Sequence, residues 1–578
     1  MKAPYRYPMV CWYDPAVLAR AAAYVGIANL FGRNSDTRLI EALATQPQHQ
    51  FDYANAASES GEFWLDFVAD LGDGWNSTYA IACAVAEPAL TVASAGGASV
   101  ATQGGAALIF GGDEVYPYPS KEAYAKRTEA PYAMAFAGAV RHPDVFAVPG
   151  NHDWYDSLVA FSRLFCRPDR AFAGCRTQQT RSYFALQLPG NWWLLAIDLQ
   201  LDADLDEPQV RYFKDIATQI APDAHVILCV PTPQWIYEKS YPGHTSYEDA
   251  TLVYFEREVL KHQVAVYLTG DLHCYKRHER DDGVQKIVSG GGGAFLHPTH
   301  APRTDSVRGG FHQRACYPDE ATSARLTWRN FLFPLLNPRY MWIPAVLYCL
   351  SAWLASASLT AADTVSLSKA LHAAIAGGIR NPFDGLWLLL YIGAFVLFTD
   401  THVRWFRIAG GICHAIAHLF AAFGLGWLAL RFTTRLLGFE FGDIPQMLLS
   451  GGLTFFGGGM VGSMVLGIYL FLSLALFGRH SEEAFSSLRI EDWKQFLRMR
   501  ITPRGELSLF AICIDRVPRS WRFNQQAGRS RYQAHDSRAT PPRLIEKLVL
   551  RPLGAGRYAV GGIDQQGRAY GSSGGTPS

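Results

Sequence analysis

Two patterns of apolar positions divide this chain. Up to about residue 330, short apolar runs alternate with polar loops, the rhythm of an α/β domain that meets water. Beyond that point the apolar runs lengthen. "YMWIPAVLYCLSAWLASASL" (340 to 359) and "IAGGICHAIAHLFAAFGLGWLAL" (408 to 430) carry no charge, and "PFDGLWLLLYIGAFVLF" (382 to 398) carries one acid near its start. A fourth run, 444 to 478, is also uncharged. Uncharged stretches of this length predict membrane helices. Four crossings are expected, and a fifth if the glycine-rich "SGGLTFFGGGMVGS" bends the long last run.

These patterns set expected boundaries. Residues 1–60 form a helical N-terminal extension, 61–330 a soluble α/β domain, 339–478 the membrane region, and 479–578 a small β-containing C-terminal segment with a disordered tail. Within the last segment "EEAFSSLRIEDWKQFLRMRI" reads as helical at its start, and "GELSLFAICIDRVP" as a strand pair. An even number of crossings places both ends on one side. The arginines between 302 and 339, at 404 and 407 and at 479 make that side cytoplasmic, while Arg431 and Arg435 oppose this. No secretory leader is read in the first residues, so the expected location is the inner (cytoplasmic) membrane, multi-pass, with the α/β domain in the cytoplasm.

Composition changes the picture little. Mean hydropathy near zero averages two unlike halves. The net charge of +1 offers no broad basic field, so no nucleic-acid partner is expected. Ten cysteines without a CxxC spacing read as free thiols in a reducing compartment.

The candidate chemistry lies where apolar runs end. "FWLDFVADLGDGW" ends in Asp70 and Asp73, "AALIFGGDEVYPY" in Asp113 and Tyr116, "DVFAVPGNHDW" in Asn151, His152 and Asp153, and "VAVYLTGDLHCY" in Asp271 and His273. In open α/β sheets ligands gather beyond the carboxyl ends of strands, so four such loops can converge. Oxygen and imidazole donors meeting there describe a divalent-metal site.

Asp-x-Gly, Gly-Asp-x-x-Tyr, Gly-Asn-His-Asp and Gly-Asp-x-His follow one another in that order. The series resembles the calcineurin-like metallophosphoesterases, and its Gly-Asp-x-x-Tyr form resembles their purple acid phosphatase branch. The resemblance covers about residues 61 to 300. It implies a four-layer αββα sandwich and two metal ions, divalent or mixed-valence, bridged by a carboxylate and a hydroxide that attacks a phosphomonoester or phosphodiester. By the same resemblance Asp70 and His273 hold the first metal with Tyr116 as an extra ligand, Asp113 bridges, and Asn151 and Asp271 serve the second. His152 then faces the substrate, oriented by Asp153.

Two positions depart from the family. Asp271 stands where a histidine is usual, which favours manganese or iron over zinc. Cys229, in "HVILCVPTPQW", stands where another histidine is usual. It is either a thiolate ligand or an inert core cysteine, with Thr232 or water filling the gap or the second metal weakly held. Asp73 is expected to face water, Trp154 and Asp156 to line the site, and "IVSGGGGAFLHPTH" to be a flexible closing loop; His297 and His300 within it are assigned no role. His414 and His418, four apart on a membrane helix, are expected to pack inward.

The sequence therefore predicts a membrane-anchored dinuclear phosphoesterase, with a lipid-linked phosphate among its candidate substrates. The alternative is a weakly catalytic membrane sensor or scaffold that binds a nucleotide or phosphorylated ligand.

Overall fold

The computed structural model describes residues 5–31, 48–56, 61–201, 204–241, 247–399, 403–526, 529–554 and 556–571. The chain divides into two compact units, one of residues 1–10, 20–323 and 489–578, the other of residues 11–19 and 324–488.

The first unit is mixed α/β and is built on two large sheets. Strands β1 (Phe63–Val68), β2 (Ala107–Phe110) and β3 (Asp144–Ala147) are parallel neighbours at one side of an eight-stranded sheet. β4 (His225–Cys229), β5 (Val264–Thr269) and β6 (Gln285–Ser289) are parallel neighbours in a nine-stranded sheet. All six residues of β1 and all four of β2 are buried, which explains why both are apolar throughout apart from Asp66 of β1: each strand is covered on both faces. Alternate side chains enter different cores. Phe67, Ile109, Ile227 and Leu268 share one cluster drawn from both sheets. Val68, Leu108 and Phe110 pack instead with Trp75, Tyr79 and Phe165.

The C-terminal segment is not a separate appendage. β7 (Lys494–Ile501) pairs antiparallel with β1, with Leu497 opposite Phe67, and four more strands follow outward: Leu507–Ile514, Arg543–Gly554, Arg557–Ile563 and Ala569–Gly571. Five of the eight strands in this sheet thus come from beyond residue 490. The helix-like reading of the residues before 501 holds only for Ser481–Ser486; β7 is an internal strand, paired along its whole length on one side and from Leu497 to Ile501 with β1 on the other. "GELSLFAICIDRVP" supplies one strand rather than a pair. Ala569–Gly571 lies within the tail expected to be disordered, and residues 572–578 are outside the described set. At the other end, the N-terminal extension contains the helix Pro15–Phe31 and the short strand Phe51–Asp52, and residues 32–47 are outside the described set.

The second unit is helical: α1 (Trp342–Ser356), α2 (Leu367–Arg380), α3 (Pro382–Phe398), α4 (Arg404–Arg431) and α5 (Ile444–Phe477). Among the described residues two helices are long and apolar enough to cross a membrane, Arg404–Leu436 and Ile444–Phe477; the pair α2 and α3, bent by 100°, makes a third if it counts as one span. The fifteen residues of α1 fall short, so the expectation of four crossings is not met by length and composition. α5 also runs unbroken through its glycines. These glycines let α1 approach closely, since a methyl at Gly458 or Gly462 would collide with Tyr348 or Pro344. His414 and His418 are buried as expected, Nε2 to Nε2 at 3.0 Å, with the Tyr348 hydroxyl 2.9 Å from His418 Nδ1.

Candidate metal centre

The strand ends fix the candidate site through backbone that side chains rarely adopt. Asp70, Asp113 and Asp271 have φ of 57°, 52° and 67°, in the left-handed region. Three such residues at the ends of three buried strands represent local strain of the kind that collects at functional sites. Two main-chain bonds lash the first two loops together: Asp70 N donates to Gly112 O at 2.9 Å, and Leu71 N to Asp113 O at 3.0 Å. Gly150 leaves room for this arrangement, because a methyl there would strike the Asp113 carboxylate.

At the centre lies the phenol of Tyr116. Its oxygen is 3.1 Å from Asp70 Oδ1, 2.9 Å from Asp113 Oδ2 and 2.9 Å from His273 Nε2, and His273 Nε2 lies 3.6 Å from Asp70 Oδ1. His273 Nδ1 is 2.7 Å from the Phe295 carbonyl, which can only accept, so Nδ1 carries the proton and Nε2 presents a lone pair. Two carboxylates and a lone-pair nitrogen therefore crowd one hydroxyl that has a single proton to give. Asp70 Oδ2 is buried and has no hydrogen-bond partner. Burial first, then the charge of neighbouring carboxylates, pushes Asp70 and Asp113 well above the ordinary carboxylate range, and burial pushes Asp271 up to about 6. Such a set binds either protons or a cation.

These residues fit a metal by donor type and by their surplus of acceptors. As they stand, no three His, Cys, Asp or Glu side chains among the described residues are spaced to grip one ion; the phenol occupies the point on which Asp70, Asp113 and His273 converge.

The other predicted residues fall at differing places. His152 N donates to Asp113 Oδ1 at 2.9 Å, and its ring lies 4.4 Å from that of Tyr116. Its Nδ1 donates to the Pro117 carbonyl at 2.8 Å, and burial lowers the imidazole to about 4. Asp153 does not orient that ring. Its Oδ2 accepts from Gly150 N at 2.8 Å and Glu114 N at 3.3 Å, and its Oδ1 from the Tyr124 hydroxyl, so it caps the turn Asn151–Trp154. Asn151 Nδ2 donates to the Tyr155 hydroxyl at 3.1 Å, which turns its amide oxygen away from that residue. Asp271 N donates to Asp70 Oδ1 at 3.1 Å, while its Oδ2 accepts from Tyr237 at 2.6 Å. Trp154 Nε1 donates to Asp198 at 2.9 Å, and Asp156 accepts from Ala160 N at 3.1 Å as a helix cap.

Of the two alternatives left open for Cys229, the structure favours the core cysteine: it is fully buried in the cluster between the sheets with Ile227 and Leu268, and burial pushes its thiol up. Two expectations are corrected. Asp73 does not face water: it accepts from Val10 N at 2.7 Å and Phe295 N at 3.2 Å, and burial raises it to about 6. The glycine run is packed rather than flexible, since Gly290 to Gly293 are all buried and a methyl at Gly290 would meet Asp70 Oδ2.

Sequence reasoning passed over Lys494. From β7 it donates to the Ala294 carbonyl at 2.5 Å; burial lowers it to about 8, against the opposing charges of Asp73, Asp492 and Asp70. Its strand, "KQFLRMRI", carries too many charges to resemble a buried one.

No family model matches this chain, and no curated protein matches it. Among solved structures it is similar to a purple acid phosphatase, PPD1, from yellow lupin (Lupinus luteus) seeds, at 14% identity over 43% of this chain and 48% of that chain, with a TM-score of 0.28. It is also similar to a structure of PhoD, at 12% identity over 41% of this chain and 59% of that one, with a TM-score of 0.27. The chain spans about half the length of each. At those TM-scores the likeness bears on neither fold nor chemistry.

Proposed function

We propose that this chain is a membrane-anchored, metal-dependent phosphoric ester hydrolase. The observation that carries the reading is the convergence of Asp70, Asp113 and His273 on one buried oxygen, with more lone pairs than protons. The ordered motifs on these loops support it, and the inter-sheet cluster, flanked on the eight-stranded side by Trp75 and Phe165 and on the nine-stranded side by Phe213 and Phe255, supports an αββα layering.

Asp70, Asp113, His273 and Tyr116 would hold the first ion, and Asp113, Asn151 and Asp271 the second, with manganese or iron favoured by so many oxygens. Metals held there would supply Lewis-acid activation of water and neutralise phosphoryl oxygens. The chain's own part is positioning and proton handling. Pro117 fixes the proton of His152 on Nδ1, and in this reading Nε2 is the atom that would meet the substrate. A phosphoryl anion beside that nitrogen favours its protonation, and Nε2–H can then protonate the leaving oxygen.

Two helices long and apolar enough to cross a membrane support the anchoring, and sheet continuity bears on its topology. β1 and β7 are hydrogen-bonded neighbours on either side of the helical unit in sequence, so both flanks belong to one folded body. A sheet cannot be divided by a bilayer, so the number of crossings is even. A phosphate ester at the bilayer, a lipid-linked one included, is the substrate such anchoring favours.

The burial of Cys229 favours one competing reading, a phosphate-ligand sensor with an incomplete second site and little turnover. The full chain in detergent, assayed with a chromogenic phosphodiester and monoester, with manganese and again with chelator, separates the two. Chelator-sensitive hydrolysis supports the enzyme; bound metal without turnover on any substrate contradicts it.

A further inference from the structure

Lys494 and Asp73 act on one and the same peptide bond. Lys494 Nζ donates to the Ala294 carbonyl at 2.5 Å, and Asp73 Oδ2 accepts from Phe295 N at 3.2 Å; that oxygen and that N–H are the two ends of a single peptide group. Both side chains are at most 1% exposed, and Asp73 leads the negative charges that offset the burial of Lys494. An apolar side chain at position 494 would avoid the cost of burying an ammonium, so its presence calls for a reason. A cation at the oxygen and an anion at the N–H polarise the peptide in the same sense, so each hydrogen bond strengthens the other.

The groups on either side of that peptide reach the candidate centre. Ala294 N donates to Asp70 O at 2.9 Å, and the Phe295 carbonyl accepts the Nδ1 proton of His273 at 2.7 Å. All four main-chain polar groups of Ala294 and Phe295 are therefore engaged, the outer two by residues of the centre and the inner two by the buried charges. The Phe295 carbonyl is what keeps the lone pair of His273 on Nε2, so whatever fixes this dipeptide also fixes where that lone pair points. We infer that Lys494 and Asp73 are positioning residues of the metal centre, acting on His273 and Asp70 through the Ala294–Phe295 strap. The segment that follows the helical unit in sequence thereby supplies part of the centre as well as strands of the sheet. This rests on the metal-centre reading above.

The test uses the full chain in detergent, stripped by chelator and titrated with cobalt(II) below the melting transition of every variant. Affinity is read by equilibrium dialysis and coordination by the visible absorption band. Lys494→Met and Asp73→Asn should each weaken cobalt binding roughly tenfold or more and shift the band. Arg498→Met is the control. It removes another buried charge from the same strand, but the Arg498 guanidinium bonds to Asp66, Thr102 and the Val85 carbonyl rather than to the strap, so affinity and band should match the wild type. Unchanged affinity and band in Lys494→Met or Asp73→Asn overturn the inference, as does an equal loss in Arg498→Met, which marks general loosening of the sheet. If Lys494→Met fails to fold, Asp73→Asn decides by the same criteria. Wild-type protein that binds no cobalt at all defeats the metal-centre reading itself, a distinct outcome.

Discussion

Arg498 and Asp66, separated by 432 positions in sequence, form a buried two-pronged ion pair: Nε to Oδ1 at 2.7 Å and Nη2 to Oδ2 at 3.2 Å. Both side chains are at most 2% exposed. The pair lies on adjacent strands, β7 and β1, in direct register, and β1 is the strand that leads into Asp70. Removing one partner leaves an uncompensated buried charge, which costs about 3–5 kcal/mol. Arg498→Met should therefore lower stability by that amount in denaturant unfolding of the full chain, and Asp66→Leu in the same background should recover part of it. A change in Arg498→Met within about 0.5 kcal/mol, the range of ordinary surface substitutions, would contradict this pairing.

The same pairing makes a prediction about topology. Ala95, and Ser537 in the C-terminal portion, are both exposed residues of the first unit. Cysteines introduced singly at these positions should react with an impermeant thiol reagent from the same face of sealed vesicles. Labelling from opposite faces would require an odd number of crossings and break the eight-stranded sheet.

Much of the site was legible because each candidate follows a buried strand. Asp113 and Asp271 close apolar runs as Gly-Asp and Asn151 as Gly-Asn, which marks a strand end by local chemistry alone, whereas Asp70 follows Ala69 and is marked by the Asp-x-Gly that it opens. What could not be read is which distant strand lies alongside. β7 carries Lys494, Arg498 and Arg500 and looks like a solvated helix; only the structure reveals that Asp66 and the Ala294 carbonyl receive two of these charges. Cys229 illustrates the opposite limit. Its position in the motif suggested a ligand, but strand alternation turns it inward with Ile227. His297 gave no periodic or motif signal, and its stacking on His273 depends on how the glycine run packs.

Asp198 provides a pH signature. Burial raises it to about 7, while an unfolded aspartate titrates near about 3.9. With the folded value above the unfolded one, this group's contribution to stability is fully present below the unfolded pKa and is lost as pH rises through the folded pKa. Asp198→Asn, which can still accept from Trp154, should flatten the decline in melting temperature between acidic and neutral pH and be the more stable protein at pH above roughly 7. A difference between the two curves that is flat or reversed would show that Asp198 is not held protonated.

His152 separates binding from turnover. Because Pro117 holds its Nδ1 and its side chain is assigned to the substrate rather than to metal, His152→Gln should lower kcat on a chromogenic ester by about 10²–10⁴. Metal content, measured on the same preparation, should be unchanged. Loss of metal in this variant would move His152 into the ligand set.

The most direct measurement is elemental analysis of the purified full chain beside Asp113→Asn and His273→Ala. The account predicts a transition metal in the wild type, sharply reduced in both variants, with chelator removing it from all three. A wild-type protein that holds no metal and acquires none from manganese, iron or cobalt would leave Asp70, Asp113, Tyr116 and His273 as a proton-sharing cluster and contradict the account.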